Sequence, residues 1–99
     1  MGDLPEETQV FTGTVTVLGD WGLHARPAAS LARTSQGFTA EVRLNAGDRS
    51  ADAKSILDIL NLAAGSRTEL MLTCRGADAH EAGDAISRLF ASGFKADVP

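Results

Sequence analysis

Apolar and polar positions alternate along three stretches of the chain. In Val10–Leu18 (VFTGTVTVL), Phe11, Val15 and Val17 fall on one side and Thr12, Thr14 and Thr16 on the other. This period of two predicts a half-buried strand. In Ala40–Asn45, Ala40, Val42 and Leu44 point one way, and Glu41 and Arg43 the other. The turn-forming run Asn45–Asp48 (NAGD) and a weak strand over Ser50–Ala53 complete a hairpin. Thr68–Arg75 places Leu70, Leu72 and Cys74 on one face. Three other segments carry a helical pattern. Ala25–Gln36 is alanine-rich and stops at Gly37, a residue suited to the position after a helix. Ser55–Ala64 stops at Gly65. A third helix opens at Asp78 and Glu81, spaced like a capping box, and carries the stripe Ala82, Ala85, Ile86, Leu89 and Phe90.

The predicted order is β-α-β-β-α-β-α. Each strand has a single apolar face, whereas a sheet covered on both sides would read as continuous apolar runs. The expected fold is therefore α+β. Three helices lie on one face of a four-stranded, mainly antiparallel sheet, an open-faced β-sandwich whose threonine-rich side stays wet. The expected organisation is a flexible leader over 1–8 and a single domain over 9–95.

The second helix departs from an ordinary amphipathic pattern. At about 100° per residue, its apolar positions cover an arc of about 220°. Ser55, Asp58 and Asn61 are its only polar residues. A helix lying on a sheet cannot bury so wide an arc, so Ile56, Leu57 and Leu60 are expected to face solvent as a partner surface. Burial under the neighbouring helices is the competing reading.

Composition narrows the function. The chain has 99 residues with 43% hydrophobic and 22% charged, and its formal net charge is −4. That charge argues against nucleic acid, which needs a basic face. One Trp and no Tyr offer little for base stacking. No apolar run approaches the ~20 residues of a membrane span, and the acidic start of the chain does not read as a signal peptide. The single Cys74 excludes an internal disulfide and suggests a reducing compartment, so the expected location is cytoplasmic. It falls on an inward face as an inert core thiol, and His80 falls in a polar first turn. Neither belongs to a metal-ligand set; no metal and no cofactor are expected.

The chemistry concentrates in Gly22–Ala28 (GLHARPA). Pro27 is tolerated only in the first turn of a helix, where its missing N–H is not needed. The helix therefore starts near His24. Free backbone N–H groups and the helix dipole at such an end favour an anion. Arg26 adds a permanent multi-donor cation, and Gly22 allows a sharp turn before it. An imidazole with one unprotonated nitrogen can act as a nucleophile. The residues thus suit a phosphohistidine site, although a histidine before a helix is more often a surface or capping residue. One His and one Arg, with no further acid, base or metal set, do not make a catalytic site.

The segment GLHARPAASLA resembles the active-site segment of HPr, the histidine-containing phosphocarrier of the phosphoenolpyruvate:sugar phosphotransferase system. AKSILDILNLA (Ala53–Ala63) is similar to that family's regulatory-serine helix, and RGADAHEAGDAISRLF (Arg75–Phe90) to its last helix. The resemblance implies that His24 is phosphorylated on Nδ1 by enzyme I, which draws on phosphoenolpyruvate. It implies that Arg26 stabilises the phosphate and that an enzyme IIA protein or domain accepts it. The protein would then be a carrier rather than an enzyme, and a monomer. The surface between the first two helices, with Ile56, Leu57 and Leu60, would dock these partners. Ser55 would be a candidate substrate for an HPr kinase/phosphorylase. Trp21 departs from the small polar residue of sugar-pathway members and is a candidate contact beside His24. Trp21, QGFTAEV and LFASGF look closer to the nitrogen-type branch, NPr. The alternative function is therefore a regulatory docking protein of a nitrogen-type or catabolite-control pathway, governed through Ser55.

Overall fold

A computed structural model describes residues 8–18 and 22–94. Seven elements follow in the order β1 (Gln9–Thr16), α1 (Ala25–Gln36), β2 (Glu41–Ala46), β3 (Arg49–Asp52), α2 (Ile56–Leu62), β4 (Glu69–Gly76) and α3 (Ala79–Ala91). The strands form one sheet in the order β1-β4-β2-β3. Every pairing is antiparallel, with Val15 opposite Leu70, Leu72 opposite Leu44, and Leu44 opposite Ala51.

These registers align the inward residues of neighbouring strands, because strand side chains alternate and one slip would turn each to the other face. Val15, Val42, Leu44, Ala51, Leu70, Leu72 and Cys74 are buried, as are Leu31, Ile59, Leu62, Ile86, Leu89 and Phe90 from the helices. Each large side chain removed from water in this way stabilises the fold by about 1.5–3 kcal/mol. The opposite face of the sheet carries the exposed Val10, Thr12, Thr14 and Met71. Three helices on one face of an open four-stranded sheet is the predicted architecture.

The element ends differ in places from expectation. Helix α2 ends at Leu62, three residues before Gly65, and the residue that ends it is Ala63 at φ 55°. The Arg49 guanidinium reaches from β3 to the Leu62 carbonyl and supplies the donor that the end of α2 lacks. Gly37 follows α1 but keeps a right-handed conformation, φ −73°, so its freedom at positive φ is unused. Asp78 precedes α3 as expected, yet no capping box forms. Its carboxylate instead accepts from Thr39 N (3.0 Å), Thr39 Oγ1 (3.2 Å) and Ala40 N (2.8 Å), tying the start of α3 to the approach of β2. The free N–H of His80 in that first turn donates to Gln9 Oε1 of β1 at 3.3 Å. Phe11 of β1 lies over Gly83 of α3, where an added Cβ would sit 2.3 Å from the ring. The helical glycine is thus a seat for an aromatic ring rather than a break.

Candidate functional site

The His24 loop is set by its neighbours before it is set by its own helix. Gly22 holds φ 74°, and a Cβ there would lie 2.7 Å from the Ala64 carbonyl and 3.0 Å from Gly65 Cα. Only glycine permits both the left-handed turn and the approach. Leu23 is buried and donates its N–H to Ala64 O at 3.0 Å. One anchored residue thus stands just before His24, and the end of α2 provides the anchor.

His24 occupies the N-cap of α1 with φ −95° and ψ −166°. Its carbonyl accepts the first helical bond, from Ala28 N at 2.9 Å. Its side chain makes no capping bond. Proline accounts for part of this. A capping side chain bonds the N–H of the second or third helical residue, and the third residue here is Pro27, which has none. The imidazole and the Arg26 side chain are both exposed, and no acidic residue occupies the first turn of α1. The first turn itself thus offers its N–H groups and the positive end of the dipole no carboxylate.

The start of α2 is built differently. Ser55 caps it, its Oγ accepting from Asp58 N at 3.2 Å. The Asp58 carboxylate folds back to accept from Asp52 N at 3.2 Å. Lys54 is turned away from the helix start, and its Nζ donates to Phe38 O at 2.7 Å. Gln36 Nε2 donates to Lys54 O at 2.9 Å, so the end of α1 braces this turn. Ile56 (43% exposed), Leu57 (72%) and Leu60 (36%) form an apolar strip, while Ile59 and Leu62 are buried beneath them. The predicted exposed strip is therefore present. Its C-terminal end adjoins the His24 loop through Ala64. Ser55 stands at the other end of the helix, about 10 Å away along a seven-residue rise. His24, Arg26 and the strip thus share one region, and Ser55 flanks it. Trp21 lies outside the described residues.

Among the described residues no group of three or more His, Cys, Asp or Glu is placed to hold a metal. Among these same residues no helix is long and apolar enough to cross a membrane. Cys74 is buried, and burial, helped by the nearby Asp78 charge, pushes its thiol up to about 11. It stays protonated near neutrality and is a poor nucleophile.

The described site is thus an exposed histidine at an uncapped helix start, beside an apolar strip. Comparison with known proteins shows the family. Residues 11–92 match the family described as the PTS HPr component phosphorylation site. The chain is 38% identical over 79 residues to a phosphocarrier protein HPr of Cupriavidus necator, covering 80% of this chain and 89% of that one. It is 43% identical over 58 residues, 59% of its length, to a multiphosphoryl transfer protein of Xanthomonas campestris, of which it spans 7%. An HPr crystal structure from Thermoanaerobacter tengcongensis superposes with a TM-score of 0.82 at 31% identity, covering 85% of this chain and 94% of that one. The chain belongs to the HPr family of the phosphotransferase system, and is a phosphocarrier rather than an enzyme.

Proposed function

We propose that His24 is the residue that carries the phosphoryl group, received from phosphorylated enzyme I and passed to an enzyme IIA protein or domain. The observation that carries this reading is the uncommitted imidazole at the start of α1, outside any capping bond. The Nδ1 lone pair attacks phosphorus while the bond from phosphorus to the donor breaks, its electron pair leaving with the donor. Transfer onward reverses the roles. The Arg26 guanidinium and the free N–H groups at the start of α1 stabilise the negative oxygens. Exposure suits a carrier, since both partners must reach the same nitrogen. Ile56, Leu57 and Leu60 supply an apolar docking surface next to it. Residues 9–95 act as one domain, as a monomer, in the cytoplasm, and the lone buried thiol fits that compartment.

Incubation with phosphoenolpyruvate and purified enzyme I is expected to give one base-stable, acid-labile phosphoryl group on the parent chain. His24→Ala should carry none while keeping its thermal unfolding. Equal labelling of the variant would move the site elsewhere.

A second role, regulation at Ser55 by an HPr kinase/phosphorylase, draws support from its position at a helix start beside the docking strip. A phosphate there would gain from the helix dipole but would face the Asp58 carboxylate three residues on. It is expected to weaken docking more than folding. Purified kinase that labels the parent but not Ser55→Ala would support this role, and absence of labelling would remove it.

A further inference from the structure

Arg67 holds φ 67°. In this left-handed region the Cβ of an ordinary residue is crowded by its own backbone, and only glycine is at ease. The conformation is imposed from both sides. Arg67 N donates to Val17 O at 2.6 Å, Val17 N donates to Thr68 O at 2.9 Å, and Thr68 N donates to Gly65 O at 3.2 Å. All of these are backbone bonds that a glycine would make with less strain. The turn keeps a side chain that its own bonding does not require, and such outliers concentrate where function demands them.

The Arg67 side chain is exposed, and among the described residues it makes no hydrogen bond or ion pair. Its turn is joined to the His24 loop through the bond from Leu23 N to Ala64 O and the close approach of Gly22 to Gly65. Arg26, in the first turn of α1 just after that loop, is exposed as well. Two exposed cationic side chains, one in the turn after α2 and one in the first turn of α1, thus belong to segments joined by these contacts, in a chain of net charge −4. A guanidinium matches a carboxylate in geometry and charge.

We propose that Arg67 is a partner-contacting residue of the phosphotransfer surface, reading carboxylates on the protein that donates the phosphoryl group. This rests on the carrier function assigned to His24. Arg67 sets docking and does not take part in the chemical step.

The test is steady-state transfer from phosphorylated enzyme I to the full chain, at low and high salt, for Arg67→Gly, Arg67→Ala and Arg67→Lys. Loss of a rim charge acts on encounter and its salt dependence. The KM for this chain should therefore rise about five-fold in the glycine and alanine variants at low salt, with kcat unchanged and the difference shrinking at high salt. Arg67→Lys should recover most of the loss. Arg67→Gly should also unfold at a higher temperature than Arg67→Ala, since it alone relieves the backbone. A KM equal to the parent's in both the glycine and alanine variants would overturn the contact while leaving His24 phosphorylation intact. A shortened phosphohistidine lifetime in isolated Arg67→Ala, at unchanged KM, would assign the guanidinium to the phosphoryl group and likewise overturn it. A parent chain that takes no phosphoryl group at all would remove the carrier reading and this contact with it.

Discussion

Helices α1 and α2 begin beside the same surface, and they begin in opposite ways. The start of α2 is closed by its own residues: Ser55 Oγ takes Asp58 N, and the Asp58 carboxylate adds a negative charge to the first turn. The start of α1 has no capping bond and no carboxylate in its first turn. The same backbone physics gives both ends free N–H groups and a positive dipole. Sequence decides whether the chain satisfies that end itself or leaves it for a ligand. At α1 the decision lies in two residues, a histidine where a short hydroxyl or carboxylate would cap, and a proline where the N–H to be capped would stand.

The sharpest way to break the comparison is to close α1. His24→Ser puts a capping hydroxyl at the open end and should end phosphorylation completely, as read by labelling from phosphoenolpyruvate and enzyme I. Its effect on stability should be small, within about 0.5 kcal/mol, because Pro27 gives the new hydroxyl only Arg26 N–H to bond. Restoring the missing donor separates the two contributions. Adding Pro27→Ala to His24→Ser should stabilise the chain by about 1 kcal/mol relative to Pro27→Ala alone, measured by denaturant unfolding. No gain would mean that proline is not what keeps this end uncapped.

This also explains which parts of the molecule were legible in the sequence. The inward faces of β2, with the residue before it, and of β4 follow from a period of two, and all six residues expected there, Ala40, Val42, Leu44, Leu70, Leu72 and Cys74, are buried. The start of α1 was legible because proline tolerates few helical positions. The exposed strip on α2 was legible because its apolar arc is too wide to bury. Features set by distant partners left no local mark. The α2 helix ends at Ala63 rather than Gly65 because the following turn is held by Leu23 and Val17, not by a glycine signal. Asp78 and Glu81 have capping-box spacing, yet Asp78 bonds residues 38 and 39 positions earlier. Arg67 carries no sequence sign of a left-handed backbone. Its strain appears only once Val17 is known to lie against it.

Opening α2 should have a smaller effect than closing α1, and on a different property. Ser55→Ala removes the acceptor of Asp58 N and should cost about 1 kcal/mol in unfolding free energy. Phosphorylation at His24 should proceed at the parent rate, since Ser55 lies at the far end of the helix. Equal losses of stability and of transfer would show that the two helix starts are coupled, and the contrast between them would fail.

The third helix start refines the contrast by spending its capping residue on another element. Asp78 stands at the N-cap of α3 but bonds Thr39 and Ala40. The Thr39 N–H holds its carboxyl below the ordinary value of 3.8; desolvation, the next-largest effect, opposes it, and the Ala40 N–H and the Thr39 hydroxyl add to the lowering. The sign of the consequence follows from linkage. A carboxylate whose folded pKa is lowered contributes stability that is fully present above the unfolded value and is lost as pH falls through the folded one. The parent chain should thus lose stability on acidification below about pH 4, the region of the unfolded carboxyl. Asp78→Asn keeps the shape and an acceptor oxygen but cannot titrate. Its stability should be lower than the parent's at neutral pH, and the gap should narrow as the pH falls, followed by thermal unfolding at a series of pH values. Because Asp78 is only half-buried, solvent screens the interaction and the effect should be the smallest of the three. A gap that stays constant with pH would mean that the Thr39 and Ala40 bonds hold the neutral acid as well as the carboxylate. The start of α3 would then be fixed by shape rather than charge, unlike the start of α1, whose open end we take to act through its charge.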